Sequence, residues 1–350
     1  MKKGYMKAAV FKDIEHIEIE ERPIPECPSE GVLVKVHACG ICGGDIRNYY
    51  NGLKDGIKDQ IMGHEIAGEV VEVHPDVRRF KAGDRVALAP DVSCGECYYC
   101  KRGQVNLCEN HRMLGTHFPG GFAGYIAVPE VVMERGFIEH IPEGMSYDHA
   151  AFGEPSSGVL ACQEYNQVSY GDTVIVIGDG PVGCLHMEVA KARGARKVIM
   201  LARGRMKQAQ KFGFEYIFSN KDPKEATDKV KELAGPGADI VICAVPNTEA
   251  QQQALELVRK RGRIIIYGGV PKSNPMTTLD SNKIHYDEIM ILGAFSYPCT
   301  GLYHALQAIH NKDIHAEMYV NGKVSLDNIV DGMEMVTSGQ AIKVVVDPWM

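Results

Sequence analysis

The stretch Thr173-Val-Ile-Val-Ile177 runs directly into Gly178-Asp179-Gly180-Pro181-Val182-Gly183, and Cys184 to Arg193 follow without a break. The β-branched run predicts a buried strand, the glycines predict a tight turn, and the last segment is typical of a helix. Glycines spaced G-x-G-x-x-G between a strand and a helix are typical of a dinucleotide-binding site. The first allows the turn, the second lets a pyrophosphate approach the backbone, and the third lets helix and strand pack closely.

Strands and helices alternate through the region that follows this turn. Five further strands are predicted, at 198–201, 216–218, 239–243, 263–267 and 289–292. Predicted helices lie between them, at 206–212, 225–233 and 249–259. Because strands that alternate with helices form parallel sheets, the pattern predicts an α/β fold with a doubly wound sheet of six strands.

The end of the second predicted strand bears on which dinucleotide is bound. An acidic residue there would bind the ribose 2′-OH of NAD, whereas an arginine would accommodate the 2′-phosphate of NADP. The sequence is Leu201-Ala202-Arg203-Gly204-Arg205, without a carboxylate. We therefore expect NADP rather than NAD, unless both arginines only cap a surface helix. Which arginine makes the main contact is left open.

The residues expected to contact this cofactor come from three segments. The glycine-rich turn offers N–H groups at a helix N-terminus, which favour phosphate. Lys343, in a predicted closing strand at 342–347, is a further candidate for a cofactor phosphate, with a solvated lysine at a strand end as the alternative. The expected contacts are Gly178, Gly180, Pro181, Val182, Gly183, Ala202, Arg203, Arg205 and Lys343.

A four-cysteine segment, Cys94-Gly-Glu-Cys97-Tyr-Tyr-Cys100 followed by Cys108, lies in the first half of the chain. Four thiolates can close a tetrahedral zinc shell with no open position, which is a structural site. Two disulfides or four unrelated thiols are the alternatives, and the repeated two-residue spacing disfavours both. We expect zinc here to stabilise a loop that has little core of its own.

The first half is otherwise β-rich. From Lys7 to about Ala89, short apolar strands are separated by prolines, which predicts a small, twisted, β-barrel-like domain. The β pattern continues over 131–142, and a helix is predicted to begin after Ser146 as its N-cap.

Three short segments of this half carry ligand types that zinc prefers: Cys39-Gly-Ile-Cys42-Gly-Gly-Asp45, Gly63-His64-Glu65 and Gly153-Glu154-Pro155. A zinc held by Cys42, His64 and Glu154 would keep one open position, which is the catalytic pattern. The alternative is a buried cysteine, a surface His-Glu pair and a solvated glutamate at a kink.

Composition limits the possible classes of function. The chain has 350 residues, a length that predicts two domains, and 45% of its residues are hydrophobic. Its net charge is −7. No basic block is present, so nucleic acid is not an expected partner. We find no signal peptide and no apolar run long enough for a membrane span. An odd count of 11 cysteines argues against a secreted disulfide framework, so we expect a soluble, cytoplasmic protein.

Together, the segments at 39–45, 63–65, 94–108, 154–155 and 178–183 resemble the zinc-dependent medium-chain alcohol and polyol dehydrogenases, most closely the sorbitol dehydrogenase-like branch. The resemblance covers nearly the whole chain. It implies a GroES-like catalytic domain at 1–156 and 296–350, a Rossmann domain at 157–295, and a site in the cleft between them. It also implies a homodimer or homotetramer and hydride transfer between NAD(P) and a small polyol or sugar.

The resemblance also implies roles for individual residues. Cys42 rather than Cys39 matches the metal-binding cysteine, and His64 matches the second ligand. Glu154 matches the third ligand of the polyol branch, which contacts zinc directly or through water, whereas the classical alcohol branch has cysteine there. Glu65 matches an acidic residue beside the metal that exchanges into its shell.

Two positions depart from the family pattern. Gly44 stands where a serine or threonine hydroxyl begins a proton relay, and Arg47 stands where histidine is frequent. We expect water, a substrate hydroxyl or Glu65 to carry the proton, and Arg47 to be free to bind an anionic group. A polyol phosphate or cyclitol is therefore the alternative substrate.

Two further classes are weighed against an active dehydrogenase. A non-catalytic NADP-binding sensor and a zinc-free quinone reductase are both disfavoured by the complete ligand set. The candidates for lining a substrate pocket are Tyr49, Tyr50, Phe118, Phe295 and Tyr297, each of which is equally compatible with a core position.

Overall fold

The computed structural model describes residues 3–298 and 300–350, so Met1, Lys2 and Cys299 lie outside the described part, as does the side chain of Asp55. The chain divides into two compact units. Unit 1 comprises Met1–Ser157 and Tyr297–Met350, and unit 2 comprises Gly158–Ser296.

Unit 1 is built mainly from strands. Its strands are β1 (Tyr5–Asp13), β2 (His16–Pro23), β3 (Val32–Gly40), β4 (Gln60–Ile61), β5 (Glu65–Val73), β6 (Arg85–Ala89), β7 (Asp91–Val92), β8 (Arg112–Met113), β9 (Tyr125–Val128), β10 (Phe137–His140), β17 (Val320–Ser325) and β18 (Lys343–Asp347). Its helices are α1 (Gly43–Asn51), α2 (Glu130–Arg135), α3 (Tyr147–Ala151), α10 (Gly301–His310), α11 (Ala316–Tyr319) and α12 (Ile329–Thr337). A longer helix, α4 (Gly153–Tyr165), leads into unit 2.

The main sheet of unit 1 joins strands from both ends of the chain. Its order is β10-β6-β5-β3-β18-β17, with β9 also paired to β3. Strand β18 runs antiparallel to β3, with Val346 opposite Cys39 and Val345 opposite Gly40. The expected closing strand therefore completes the sheet that carries Cys39. Buried aliphatic residues of β1, β3, β5 and β6 form one core beneath it.

Unit 2 is a doubly wound α/β domain. Its strands are β11 (Thr173–Ile177), β12 (Lys197–Ala202), β13 (Tyr216–Ser219), β14 (Ala238–Cys243), β15 (Val258–Ile266) and β16 (Met290–Gly293). Its helices are α5 (Pro181–Ala192), α6 (Met206–Ala209), α7 (Pro223–Ala234), α8 (Thr248–Leu257) and α9 (Ser281–Tyr286). All neighbours are parallel, in the order β13-β12-β11-β14-β15-β16. The predicted six-stranded Rossmann sheet is confirmed.

The β pattern predicted over 131–142 is partly wrong. Residues Glu130–Arg135 form a helix, with Pro129 as its N-cap, and only Phe137–His140 form a strand. Val131, Val132 and Met133 suggest a strand by composition, but Pro129 and Gly136 limit the segment to a short helix whose Val132 side chain is buried. The expected helix after Ser146 does form, and the Ser146 hydroxyl accepts a hydrogen bond from the His149 N–H.

Glu154 lies in the first turn of α4 rather than in a loop.

Within the described residues, no helix is both long and apolar enough to cross a membrane.

Candidate functional site

Cys42, His64 and Glu65 come together at one end of the paired strands β3 and β5. Cys42 is the N-cap of α1, two residues after the end of β3, and Glu65 is the first residue of β5, with His64 directly before it. The antiparallel register places Gly40 opposite Glu65. One sulfur, one ring nitrogen and one carboxylate oxygen from these residues lie within 4.8 Å of one another. Pairing of the two strands thus brings together ligands that are more than twenty positions apart in the sequence.

Asp45 orients two members of this cluster. Its carboxylate is buried, accepts the Cys42 N–H through Oδ2 at 3.0 Å, and lies with Oδ1 3.2 Å from His64 Nδ1. A His64 proton on Nδ1 therefore faces Asp45, which leaves Nε2 for a metal, as in carboxylate–histidine–zinc arrangements. Burial opposes protonation of His64, but Asp45 and Cys42 outweigh it and raise the pKa of His64 well above its ordinary value. Asp45 is not among the site residues predicted from the sequence, although its position three residues after the N-cap is the signal for a capping box.

Glu65 is fixed by Lys343 rather than left free. Lys343 Nζ lies 2.6 Å from Glu65 Oε1 and 2.8 Å from Oε2, and also donates to the Ile41 carbonyl at 3.1 Å. The expectation that Lys343 reaches a cofactor phosphate is therefore wrong. Its three N–H donors are already engaged by two residues of the cluster's own sheet, and its side chain is buried.

Glu154 lies beside the cluster but outside the group within 4.8 Å. The Tyr297 hydroxyl donates a hydrogen bond to Glu154 Oε1 at 2.9 Å. Burial raises the pKa of Glu154 to about 7. Charge on His64 and the hydrogen bond from Tyr297 oppose this rise, and the charge on Glu65 adds to it. The expected contact of Glu154 with a metal, direct or through water, stays a prediction.

The donor set fits zinc. A thiolate, an imidazole and a carboxylate are zinc ligands, and Asp45 and Lys343 supply the outer hydrogen bonds that such ligands require. Gly40 is needed for this packing, because a Cβ there would lie 2.0 Å from Glu65 Oε2. Cys39 is excluded from ligation by its place in the core, where burial raises the pKa of its thiol well above the usual value.

The four cysteines of the second cluster, Cys94, Cys97, Cys100 and Cys108, also converge. Their sulfurs lie within 4.8 Å of one another. Backbone N–H groups of Glu96 and Cys97 lower the pKa of Cys94 to about 6, which favours the thiolate that metal binding requires. Burial raises the pKa of Cys108 to about 12, so a cation at the centre would be needed to hold all four as thiolates. The arrangement fits a closed, structural zinc site.

The glycine-rich turn has the geometry expected of it. Gly178 has φ of +135°, a value that side chains rarely tolerate. A Cβ on Gly183 would lie 2.1 Å from the Gly178 carbonyl oxygen, so strand β11 and helix α5 approach as closely as they do only because this residue is glycine. Gly180 is the N-cap of α5 and Pro181 its first residue, which leaves the N–H groups of Val182 and Gly183 at the helix N-terminus.

Two family models of known proteins match this chain. Residues 28–136 match the family model for the alcohol dehydrogenase GroES-like domain, and residues 181–311 match that for zinc-binding dehydrogenases. The sorbitol dehydrogenase of Bacillus subtilis (strain 168) is 35% identical over 98% of this chain and 97% of its own length. The chain belongs to the zinc-dependent medium-chain dehydrogenases.

Other relatives and solved structures extend this result. The D-arabitol-phosphate dehydrogenase of Enterococcus avium is 32% identical over 93% of this chain and 92% of its own length. A structure from Sinorhizobium meliloti 1021, described as a zinc-binding dehydrogenase bound to NADP, is 30% identical with a TM-score of 0.88, covering 99% of this chain and 100% of that one. The protein is accordingly an alcohol or polyol dehydrogenase that depends on zinc and NAD(P).

The second strand of the dehydrogenase's Rossmann sheet ends at Ala202, and the turn after it carries the two arginines. Arg203 lines a cavity at the carboxyl ends of β11 and β12, together with Gly178 and Asn220. Arg205 instead points toward the glycine-rich turn, with Nη1 4.0 Å from the point that a Cβ on Gly180 would occupy. The two guanidinium groups therefore take different directions from one turn.

Arg47 extends back toward the metal cluster of the dehydrogenase. A Cβ on Gly44 would lie 3.6 Å from His64 Cε1, 3.7 Å from Cys42 Sγ and 3.9 Å from Arg47 Nη2. Arg47 is exposed, and in the described part of the chain no carboxylate pairs with its guanidinium group. A cation without an acidic partner thus lies next to the candidate zinc ligands.

The five candidate pocket residues separate into different environments. Tyr297 contacts Glu154, whereas Tyr49 is a core residue whose hydroxyl donates to the Glu15 carbonyl at 2.9 Å. Phe118 packs against the core of unit 1 and beneath the guanidinium group of Arg112. Tyr50 and Phe295 are exposed. Tyr297 is thus the candidate whose hydrogen bond reaches a residue of the metal site.

Proposed function

We propose that this dehydrogenase oxidises a secondary alcohol of a polyol or sugar and transfers the hydride to NADP. The observation that carries the proposal is the cluster of Cys42, His64 and Glu65 with Glu154 beside it. Glu154 is the residue that matches polyol dehydrogenases rather than the classical alcohol branch. The similarity to sorbitol dehydrogenases agrees with this choice.

The residues of the cluster have separate tasks. When bound there, zinc supplies Lewis acidity toward an alcohol oxygen. Cys42 and His64 would hold the metal, and Asp45 keeps the imidazole in the tautomer that leaves Nε2 free. Lys343 donates to both carboxylate oxygens of Glu65, which limits the negative charge that Glu65 contributes to the metal site.

The proton of the alcohol needs an acceptor other than the usual relay. Gly44 has no hydroxyl, and Glu65 is already engaged by Lys343. Glu154 has one carboxylate oxygen that Tyr297 does not occupy. We propose that this oxygen accepts the hydroxyl proton, through water, while the hydride passes from the carbon that bears the hydroxyl to the nicotinamide.

The preference for NADP rests on the turn after β12. Ala202 supplies no carboxylate for a ribose 2′-OH, and Arg203 and Arg205 supply two guanidinium groups that suit a phosphate. A similar structure is bound to NADP. The glycine-rich turn would hold the pyrophosphate at the N-terminus of α5.

A polyol phosphate is the second candidate substrate, and Arg47 is the observation that favours it. Its unpaired guanidinium group lies beside the metal ligands, and a relative is a D-arabitol-phosphate dehydrogenase. Arg47→Gln should then lower kcat/KM for a polyol phosphate by about 10²-fold while changing that for the free polyol by less than about threefold. Arg78→Gln, at another exposed arginine, is the matched control. Equal effects on both substrates would exclude this role for Arg47.

We further propose a homo-oligomer in the cytoplasm. Strand β16 forms an edge of the Rossmann sheet, and Met290 on it and Tyr286 just before it are exposed, which suits pairing with a second copy. Thiolate ligands require a reducing compartment. Light scattering on the purified chain would test the oligomer, and a monomer at micromolar concentration would rule it out.

The test of the main proposal is oxidation of a panel of polyols, cyclitols and polyol phosphates by the zinc-loaded protein, with NADP and NAD in parallel. We expect turnover of at least one polyol-type substrate and a higher kcat/KM with NADP. Turnover with NAD alone would refute the cofactor preference but not the dehydrogenase activity. No turnover with either dinucleotide, despite full zinc content, would refute the proposed substrate class.

A further inference from the structure

Asp179 links the glycine-rich turn to the turn that carries the two arginines. It lies between the first two glycines of the fingerprint and is only 9% exposed. Its Oδ2 accepts hydrogen bonds from the N–H of Gly204, at 2.9 Å, and from the N–H of Arg205. One carboxylate oxygen therefore connects the ends of β11 and β12 beyond the point where their ladder stops at Ile177 and Leu201.

The turn from Arg203 to Arg205 is held at its two ends by other bonds. The Ala202 carbonyl accepts the Asn220 N–H, and the Arg205 carbonyl, at the N-cap of α6, accepts the N–H groups of Gln208 and Ala209. The ladder between β12 and β13 ends at Ala202, and α6 begins only at Met206. Nothing lies within 4 Å of a Cβ placed on Gly204, so packing does not fix its backbone. Asp179 supplies an anionic acceptor for two successive N–H groups, the kind of charge-assisted bond that fixes a turn.

The two arginines leave this turn in different directions. Arg203 precedes the two bonded N–H groups and faces the cavity at the strand ends. Arg205 carries the second bonded N–H and faces Gly180. If the turn moved, both guanidinium groups would leave the glycine-rich turn, where a bound dinucleotide would place its ribose and phosphates.

We propose that Asp179 is a positioning residue for recognition of the 2′-phosphate: its carboxylate holds the Arg203–Arg205 turn in the form that accepts NADP. The inference rests on the proposed preference for NADP. This role explains why an acidic residue, Asp179, lies close to the site proposed for the 2′-phosphate. The Oδ2 charge is directed at two N–H groups, and two arginines against one aspartate leave the turn net positive.

The experiment measures binding of the adenine half of each cofactor to the full-length protein by calorimetry, with 2′,5′-ADP and 5′-AMP as probes. Wild-type protein should bind 2′,5′-ADP more tightly. Asp179→Ala should lower the affinity for 2′,5′-ADP by at least about tenfold and that for 5′-AMP by less than about threefold, because only the arginine contacts are lost. Asp179→Asn should keep the wild-type ratio within about threefold, since its amide oxygen can still accept both N–H groups.

Asp172→Ala is the matched control. The Asp172 carboxylate also accepts a backbone N–H, from Ser169 at 3.0 Å, but precedes β11 at the opposite end of the strand. It should leave the ratio of the two affinities unchanged. It shows what loss of a turn-stabilising carboxylate, together with its ion pair to Arg263 at 3.7 Å, does to this unit.

The outcomes separate the inference from the proposed function. Equal affinity of wild-type protein for the two probes would refute the NADP preference and this inference with it. A wild-type preference that survives Asp179→Ala, or a loss shared equally by both probes, would overturn only the role of Asp179. The same loss of selectivity in Asp179→Asn as in Asp179→Ala would overturn it as well, because an acceptor in the right place would then not suffice.

Discussion

Lys343 in the last strand forms a buried, two-oxygen ion pair with Glu65, 278 positions earlier in the chain, at 2.6 and 2.8 Å. Neither charge can be solvated in place, because Glu65 is fully buried and Lys343 nearly so. A buried pair of this kind adds little to stability as a pair, but removal of one partner leaves an uncompensated charge.

Lys343→Met should therefore lower the free energy of unfolding by about 3–5 kcal/mol. The double variant Glu65→Gln/Lys343→Met should recover a large part of that loss, since it removes both charges of the pair. Denaturant unfolding at neutral pH measures both. If the loss of unfolding free energy in the double variant equals the sum of the losses in Glu65→Gln and Lys343→Met, the two residues are not coupled.

Removal of one ligand from the four-cysteine lobe should cost one metal ion. We expect Cys97→Ser to reduce the zinc content from about two ions per chain to about one and to lower Tm, because the lobe has little core without its metal. Elemental analysis and thermal unfolding measure the two effects. Cys27→Ser, at a thiol outside both clusters, should change neither. An unchanged zinc content in Cys97→Ser would contradict a structural metal in the lobe.

Acid should destabilise the Rossmann unit through His186. Burial lowers the pKa of His186 from 6.5 to about 3, while Gln163 Nε2 lies 3.2 Å from its Nδ1. Between these pH values the unfolded chain binds a proton there that the folded chain does not. The contribution of His186 is thus fully present above about pH 6.5 and declines by about 1.4 kcal/mol per pH unit below it.

His186→Phe should accordingly make the free energy of unfolding less dependent on pH between about 6 and 4. Urea unfolding at several pH values gives the slope. His310→Gln, at an exposed histidine, provides the comparison and should keep the wild-type slope. A His186→Phe curve parallel to that of the wild type would show that His186 is not buried in its neutral form.

The proton path can be tested at Gly44 and Glu154. A serine Cβ at Gly44 would meet only ordinary contacts, of 3.6–3.9 Å, so Gly44→Ser should fold normally and change kcat by less than about threefold. Glu154→Gln should lower kcat by about a hundredfold or more with zinc content unchanged. Gly43→Ser, where the added side chain has open space, is the control for Gly44→Ser. A large rise of kcat in Gly44→Ser alone would indicate that the proton leaves by that position.

Features that depend on neighbouring residues could be predicted from the sequence. The Rossmann strands follow from runs such as Thr173–Ile177, and the glycine-rich turn from spacing that few other structures require. The convergence of Cys94, Cys97, Cys100 and Cys108 likewise follows from local spacing. Composition alone gives the wrong element at 130–135. Val131 and Val132 suggest a strand, but Pro129 and Gly136 flank the segment and it forms a short helix.

Features that depend on distant pairing could not be predicted. The residues around Lys343 do not show that β18 pairs with β3 and that Glu65 lies across the sheet, so the sequence predicts a phosphate contact or a solvated lysine there instead. The link from Asp179 to Gly204 and the hydrogen bond from Tyr297 to Glu154 are of the same kind. Each joins residues 25 or more positions apart, where sequence spacing carries no information on contact.

The place of β18 in the first sheet also constrains how the chain matures as it is synthesised. Residues 158–296 form a complete unit as soon as they emerge from the ribosome, but the sheet that carries Cys39 lacks β18 until Lys343–Asp347 have followed. Until then Glu65 has no counter-charge. The dinucleotide-binding unit should thus fold first during translation, and the metal-binding unit, though begun earlier, should be completed last.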